Sequence, residues 1–199
     1  MSETNHLKKQ YPVGVIHGRF QVLHNDHLKY ILAGKERCRE LVIAITNPTP
    51  NLTRSESADP HRSLPIANPL TYYERYQLIR TAMTGAGQDS NSYSIVPLPI
   101  SMPEQYQYYV PLDAVFFLTI YDDWGRRKYT YFNSLGLKVD VLWNIPVDKK
   151  GISGSHVRRL MLDSNAWEAM VPSNVADLLN KWRLPERLRK LMICSEKSI

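Results

Sequence analysis

Hydrophobic and polar positions at the start of the chain predict strands and helices in alternation. Residues 13–16 are rich in β-branched side chains, and residues 28–33, after a short glycine-containing loop, have the apolar spacing of a helix. Residues 41–46 are almost continuously apolar, which is typical of a parallel strand that is covered on both faces. The pattern therefore predicts a strand–helix–strand unit at the start of the fold.

The same alternation continues along the rest of the chain. Thr71 is a predicted helix N-cap and Glu74 completes its capping box, so a helix is expected over residues 72–83. Five strands separated by helices predict an α/β fold with a doubly wound, Rossmann-like parallel sheet, in a single domain over residues 1–199. The remaining predicted elements are strands at 94–98, 114–119 and 138–143, helices at 128–135 (with Gly136 as its C-cap) and 155–162, and C-terminal helices at 175–182 and 185–193 within residues 164–199.

Two segments are predicted to lack regular secondary structure. Residues 1–10 form a polar extension, without the apolar segment that a secretory signal requires. Residues 47–69 contain five prolines, which forbid regular structure through most of that stretch. Because loops of this length in compact domains are usually functional lids or disordered segments, we expect residues 47–69 to be a mobile or partner-contacting insertion.

Composition and charge narrow the classes of function. With 43% hydrophobic and 22% charged residues, the 199-residue chain has the composition of an ordinary globular protein. No stretch approaches the ~20 consecutive apolar residues of a membrane span, so we expect a cytoplasmic protein without a membrane partner. The net charge of +6 favours an anionic partner. Since the basic residues are scattered, and the run at 183–190 fits a solvated helix face, we expect a small phosphate compound and no nucleic acid.

A first candidate site follows the first predicted strand, where the chain reads G-R-F-Q-V-L-H-N-D-H from Gly18 to His27. A glycine lets a phosphate approach the backbone, and a helix N-terminus offers free N–H groups and a positive dipole. His24 and His27, three residues apart, fall on the same side of the first helical turn. This pattern suits phosphate binding, although two such histidines alone could equally be solvent-exposed loop residues.

A second candidate site precedes a late predicted helix, where the chain reads G-I-S-G-S-H-V-R-R from residue 151 to residue 159. Ser153 and Ser155 could cap the helix or donate to phosphate oxygens. Arg158, one turn into the helix, could offer a bidentate guanidinium to the same phosphates. A serine-rich helix start with a surface arginine could also be purely structural.

Together these two motifs resemble the nucleotidyltransferase superfamily of adenylyl- and cytidylyltransferases. Within it, the chain is most similar to the archaeal-type nicotinamide mononucleotide adenylyltransferases. The resemblance runs in order from about Val13 to Leu179, and besides the two motifs it is carried by N-P-L-T-Y-Y-E-R-Y-Q-L-I at 68–79 and W-E-A-M-V-P at 167–172.

That resemblance implies transfer of AMP from ATP to nicotinamide mononucleotide or its acid form, giving NAD and pyrophosphate. It also implies Mg²⁺ bound with ATP, no metal held by the protein alone, and a homo-oligomer. The implied catalytic residues are Arg19, His24, His27 and Arg158. The implied ATP contacts are Gly18, Arg19, Phe20, His24, His27, Ile152, Ser153, Ser155 and Arg158, and the implied mononucleotide contacts are Asn47, Arg75 and Tyr106.

Three positions leave alternatives open. Asp26 replaces the glycine that the family has between its two histidines. Its carboxylate could turn outward and cap the helix, help to hold Mg²⁺, or mark a site that has lost turnover. Tyr106 stands near the place of the family's base-stacking tryptophan, but could equally belong to a packed aromatic cluster. Arg75 could be a solvated residue on a helix face.

Two other functions remain open alongside the adenylyltransferase. The same fold and reaction could serve another phosphorylated or alcohol-bearing acceptor, such as phosphopantetheine, FMN or the substrate of a CTP-using pathway. The chain could also be a nucleotide-binding protein in which Asp26 has abolished turnover. Pyrophosphate release from the nucleoside triphosphate would separate the enzymes from the binding protein.

Overall fold

A computed structural model of the chain describes residues 10–49, 64–149, 151–163 and 166–196. The described residues form five parallel strands in the order β3-β2-β1-β4-β5, together with six α-helices. Along the chain these elements are β1 (Tyr11–Gly18), α1 (Asn25–Arg37), β2 (Cys38–Thr46), α2 (Tyr72–Gly85), β3 (Tyr93–Leu98), β4 (Val115–Ile120), α3 (Asp123–Ser134), β5 (Lys138–Asn144), α4 (Gly154–Leu162), α5 (Ser173–Lys181) and α6 (Leu184–Glu196).

The strand order confirms the predicted doubly wound parallel sheet. The chain runs outward from β1 through β2 to β3, then returns to the other side of β1 for β4 and β5. The direction of winding therefore reverses between β1 and β4. In sheets of this kind, ligands bind in the crevice at the carboxyl ends of the strands beside that reversal.

Two hydrophobic clusters cover the two faces of the sheet. The larger cluster packs α1, α2, α4, α5 and α6 against one face, around Ile16, Ile43 and Phe117. The smaller one packs α3 and the segment after β3 against the other face, around Val15, Phe116 and Phe132. Because β1 and β4 carry side chains into both clusters, they are buried on both sides, as their apolar sequences predict.

Several element boundaries differ from the sequence prediction. Helix α3 begins at Asp123, five residues before the predicted start at Lys128, because the Asp122 carboxylate caps it by accepting from the Gly125 N–H at 2.9 Å. Its C-cap is Leu135, and Gly136 follows with a φ of +74°. The predicted capping box of α2 is present: the Thr71 hydroxyl accepts from the Glu74 N–H, and the Glu74 carboxylate accepts from the Thr71 N–H.

The predicted irregular segments lie largely outside the described residues. Of residues 1–10 only Gln10 is described, and of the predicted loop 47–69 the described parts are 47–49 and 64–69, where Pro65–Ala67 forms a 3-10 turn. The expected mobility of that loop stays a prediction. Among the described residues, no helix is long and apolar enough to cross a membrane.

Candidate active site

A crevice opens at the winding reversal because β1 and β4 separate there. β1 pairs with β2 along its whole length, but with β4 only at Gly14 and Val15. The Tyr30 hydroxyl of α1 stands where the two strands part: it donates to the Phe117 carbonyl at 2.6 Å and is hydrogen-bonded by the His17 backbone. The side chain of an α1 residue thus takes the place of further pairing between β1 and β4.

The loop after β1 is held in a compact form by its own side chains. The Phe20 ring folds back over Gly18, where a Cβ would lie 2.9 Å from the ring, so this position requires glycine. Phe20 itself has a φ of 52° and is fully buried, so its ring is not available to stack on a nucleotide. The Gln21 side-chain amide pairs with the Leu70 backbone in both directions, at 2.8 and 3.0 Å.

His24 is the N-cap of α1 and is buried, so the solvent-exposed alternative is wrong for this residue. Its Nδ1 accepts from the His27 N–H at 3.3 Å, and the two imidazole rings stack with centroids 3.7 Å apart. Burial lowers the pKa of His24 to about 4, against the opposing effect of Asp26. Because Nδ1 accepts, we assign the proton of the neutral ring to Nε2, which is then a donor.

His27 is also held neutral, beside the Phe20 ring at 5.1 Å between centroids. Burial, followed by the neighbouring His24, lowers the pKa of His27 well below its usual value. Its Nδ1 is buried without a hydrogen-bond partner in the described part of the chain. Both histidines of the first motif are therefore neutral at pH 7 and can act as hydrogen-bond donors or acceptors rather than as cations.

The second motif opens α4 directly against the loop after β1. Ser153 caps α4 by accepting from the His156 N–H at 3.2 Å. A Cβ on Gly154 would lie 2.6 Å from the Gln21 carbonyl oxygen, so glycine permits this close contact. Arg158 donates to that same carbonyl and, at 3.2 Å, to the Ser155 hydroxyl. Because it is 7% exposed, the alternative of a surface arginine is wrong.

Asp26 joins the two motifs. Its Oδ2 accepts from the Ile152 N–H at 2.6 Å, across 126 positions of sequence. A Cβ on Gly151 would clash with the same oxygen, so the contact also depends on glycine there. The outward-facing alternative for Asp26 is wrong, since His24 caps α1 and the carboxylate faces the second motif. The other two alternatives, help with Mg²⁺ and lost turnover, stay untested.

Two buried arginines, Arg75 of α2 and Arg158 of α4, lie close to Arg19. Burial is the main cause that lowers the pKa values of Arg75 and Arg158, each to about 10, and proximity to Arg19 lowers both further. Arg19 also acts in the same direction on the pKa of His27, after the larger effects there. This convergence of positive charge at the carboxyl ends of the strands is suited to binding an anion.

All five N–H donors of the Arg75 guanidinium are hydrogen-bonded to backbone carbonyls. Arg75 is 2% exposed, and its guanidinium binds the backbone just after β1, at the end of β2 and before α2. Since a guanidinium has five N–H groups, none remains here for a mononucleotide, and a solvated helix face is also the wrong description. The five acceptors are the carbonyls of Thr71, Arg19, Thr46, Asn47 and Pro48, at 2.7 to 3.3 Å.

The other two predicted mononucleotide contacts, Asn47 and Tyr106, lie in different parts of the structure. Asn47 lies at the end of β2 with a φ of 50°, and its carbonyl is bound by Arg75. Tyr106 is 1% exposed, its ring packs edge-on against Phe132, and its hydroxyl donates to the Ile100 carbonyl at 2.6 Å. The packed alternative therefore describes Tyr106, because neither ring face is free to stack on a ligand.

Sequence reasoning missed three residues that shape this region: His17, Gln21 and Tyr30. His17 offered a signal, since an imidazole directly before Gly18 interrupts an otherwise apolar strand. Gln21 and Tyr30 act through contacts with Leu70 and Phe117, respectively, and spacing along the chain does not predict those contacts.

Known proteins that are similar in sequence identify the family of this chain. The chain is 48% identical to phosphonoformate cytidylyltransferase of Streptomyces viridochromogenes over 176 residues, which cover 88% of this chain and 95% of the relative. The chain belongs to the nucleotidyltransferases. A more distant relative, nicotinamide-nucleotide adenylyltransferase of Saccharolobus solfataricus, is 26% identical to this nucleotidyltransferase over 90% of the chain and 96% of the relative. No protein-family model matches the sequence.

The fold of this nucleotidyltransferase also occurs in a solved structure. A bifunctional NMN adenylyltransferase/ADP ribose pyrophosphatase from Francisella tularensis superposes on 94% of the chain with a TM-score of 0.65 and 18% sequence identity. The chain spans about half of that protein, covering 54% of its length. At this identity the likeness supports the nucleotidyltransferase fold and not a particular substrate.

Proposed function

We propose that this nucleotidyltransferase transfers a cytidylyl group from CTP to a small phosphonate of the phosphonoformate type. The observation that carries the proposal is the 48% identity to phosphonoformate cytidylyltransferase across nearly the whole of both chains. Two features of the crevice support it. Tyr106 offers no ring face to a pyridine base, and Arg75 offers no donor to a mononucleotide. A small acceptor needs neither contact.

In the proposed reaction, an acceptor oxygen attacks the α-phosphorus of the triphosphate. A new oxygen–phosphorus bond forms, the bond from that phosphorus to the pyrophosphate oxygen breaks, and pyrophosphate leaves. Negative charge builds up on the phosphate oxygens during this step, so fixed donors and cations stabilise the transition state. The His24 Nε2–H, the Arg158–Ser155 pair, Arg19 and the N-terminus of α4 are the groups that would supply this stabilisation.

We propose that Mg²⁺ enters with the triphosphate. The two motifs present N–H donors and cations, which bind phosphate oxygens rather than metal ions. Among the described residues there is no cluster of three or more His, Cys, Asp or Glu suited to a metal. Mg²⁺ would then be held mainly by the phosphate oxygens and would neutralise part of their charge. The predicted homo-oligomer stays a prediction, which light scattering would check.

Adenylyl transfer to nicotinamide mononucleotide is a second candidate. It is favoured by the motifs that resemble the archaeal enzymes and by adenylyltransferase relatives at 26 to 29% identity. Tyr106 and Arg75 weigh against it, because their side chains are committed to the core and to the backbone, respectively.

Pyrophosphate release, measured with CTP and with ATP, tests both candidates. Each triphosphate is paired separately with phosphonoformate, nicotinamide mononucleotide and nicotinic acid mononucleotide, and products are identified by mass. We expect turnover with CTP and phosphonoformate. Turnover only with ATP and a pyridine mononucleotide would support the second candidate, and no turnover with any pair would contradict both.

The variant His24→Asn tests whether the measured turnover takes place at this site. His24→Asn keeps a side-chain oxygen that can cap α1 but removes the imidazole donor. Losing one such donor typically lowers the rate by about 10²–10³-fold. An unchanged rate in His24→Asn would mean that the donor is not used.

A further inference from the structure

His17 is a buried imidazole whose nitrogens are left without partners. It lies near the carboxyl end of β1, it is 6% exposed, and neither Nδ1 nor Nε2 has a hydrogen-bond partner among the described residues. Its ring contacts Phe132 of α3, with centroids 5.2 Å apart. The great majority of buried polar side-chain atoms in proteins are hydrogen-bonded, so this residue requires an explanation.

The sheet does not need a histidine at this position. Side chains alternate along a strand, so His17 lies on the same face as Val15, which belongs to the smaller hydrophobic cluster. An apolar side chain would continue that cluster, whereas an unpaired buried imidazole lowers stability. A catalytic or ligand-binding role is one explanation for a buried polar group without a partner.

His17 also lies at the crevice. The last bridged pair of β1 and β4 is Val15 with Phe116, so His17 is beyond the point where the strands separate. Its own backbone binds the Tyr30 hydroxyl that stands between those strands. The next residues along the chain, Gly18 and Arg19, begin the first phosphate-binding motif. His17 therefore directly precedes the first phosphate-binding motif, on the smaller cluster's side of the sheet.

The chemistry of the ring fits an anionic ligand atom. Burial, followed by the proximity of Lys128, keeps the pKa of His17 well below its usual value, so the ring is neutral. A neutral imidazole offers one N–H donor. Lys128 on α3 adds positive charge on the same side, so an anionic oxygen is the ligand atom that this environment favours.

We propose that His17 is an acceptor-binding residue whose ring N–H donates to an anionic oxygen of a small phosphonate or carboxylate acceptor. This inference rests on the proposed function for the identity of the acceptor. It adds to that function a residue outside both motifs, on the opposite face of the sheet from α1 and α4.

The experiment compares wild type, His17→Leu and His17→Gln in pyrophosphate release with CTP and phosphonoformate. Since the lost bond is to a charged group, we expect His17→Leu to raise the KM for phosphonoformate by about 10- to 100-fold. The KM for CTP should stay within about twofold, because the proposed hydrogen bond is made to the acceptor alone. His17→Gln, which keeps a donor, should recover part of the loss. Cys38→Ala, at the far end of the sheet, is the control and should change neither value.

A second experiment determines whether His17 binds the carboxylate or the phosphonate of the acceptor. With methylphosphonate, which has no carboxylate, the effect of His17→Leu should vanish if the ring binds the carboxylate and persist if it binds the phosphonate. Either result supports the donor role. Equal rises in both KM values, or an unchanged acceptor KM in an active His17→Leu enzyme, would overturn it.

Thermal unfolding without ligands tests His17 even where the proposed function fails. Replacing an unpaired buried imidazole by an apolar side chain should leave the unfolding temperature unchanged or raise it. A fall of more than about 4 °C, equivalent to roughly 1 kcal/mol or more in a protein of this size, would show a structural role and overturn the inference.

Discussion

The Asp26 carboxylate fixes the position of the second motif relative to the first. Its contact with the Ile152 N–H joins residues that the sequence separates by 126 positions. A charged acceptor makes a stronger hydrogen bond than a neutral one, so removing it should let residues 151–153 move. Asp26 is therefore better described as a positioning residue than as a helix cap.

We expect Asp26→Gly to raise the KM for the nucleoside triphosphate by about 10-fold or more, with a smaller effect on the acceptor KM, because it removes one charge-assisted hydrogen bond. Asp26→Asn keeps a side-chain oxygen and should lie between this variant and wild type. The measurement is steady-state pyrophosphate release with each substrate varied in turn. Tighter triphosphate binding or a gain of turnover in Asp26→Gly would instead mean that the carboxylate repels the triphosphate.

Arg75, like Asp26, holds distant backbone segments together through side-chain hydrogen bonds. Its guanidinium holds the carbonyls that end β1 and β2, close to two residues with positive φ, Phe20 and Asn47. A lysine keeps the charge but has three donors on a single nitrogen and cannot reproduce the planar fork.

Arg75→Lys should therefore lower the free energy of unfolding by about 2 kcal/mol or more, since buried carbonyls lose their partners. Urea denaturation at pH 7 measures this change. Arg80→Lys, five residues along on the exposed side of α2, is the matched control and should change stability little. Equal stabilities of the two variants would contradict the role assigned to Arg75.

At the scale of elements, the separation of β1 from β4 shapes the crevice. The Tyr30 hydroxyl satisfies the Phe117 carbonyl where a strand partner would otherwise do so. Tyr30→Phe should leave that carbonyl unpaired and cost about 1–3 kcal/mol in the free energy of unfolding. Chemical denaturation checks this, with Tyr129→Phe on the exposed side of α3 as the control. A loss no greater than that of Tyr129→Phe would contradict this role for Tyr30.

The elements themselves could largely be predicted from the sequence. The apolar runs gave five parallel strands, and the Thr71–Glu74 capping box gave the start of α2, because both depend on neighbouring residues. Helix α3 starts earlier than its apolar spacing predicts, because the Asp122 carboxylate caps it. Both motifs could also be located, because each consists of residues that are contiguous in the sequence. The strand order then brings their two loops to one edge of the sheet.

The interior of the site could not be predicted in the same way. Whether Arg75 meets a ligand or five carbonyls, and whether Tyr106 stacks or packs, depends on contacts between distant segments. The Asp26–Ile152 contact is likewise absent from any local pattern. Such contacts decide which polar side chains remain free, and therefore which substrate the crevice suits.

At the scale of the whole molecule, three histidines with lowered pKa values make stability depend on pH: His17 and His24 are buried, and His27 is half-buried. Burial is the largest cause that lowers the pKa values of His17, His24 and His27, that of His24 to about 4. In the unfolded chain each would titrate near 6.5. Between the two values the unfolded chain binds more protons, so the stabilising contribution is present above pH ~6.5 and is lost as the pH falls.

From pH 7 to pH 5.5, each of these histidines should lower the free energy of unfolding by about 1 kcal/mol. Urea denaturation at intervals across this range measures the sum. Burial raises the pKa of Glu74, but hydrogen bonds from Arg187 and Thr71 together lower it by more. Glu74 therefore loses its contribution only at more acidic pH, and this window isolates the histidines. His24→Asn should reduce the slope by about a third, since it removes one of the three histidines that take up a proton on unfolding in this range. A flat profile would mean that the three imidazoles are hydrated, and the case for His17 as a desolvated donor would fail with it.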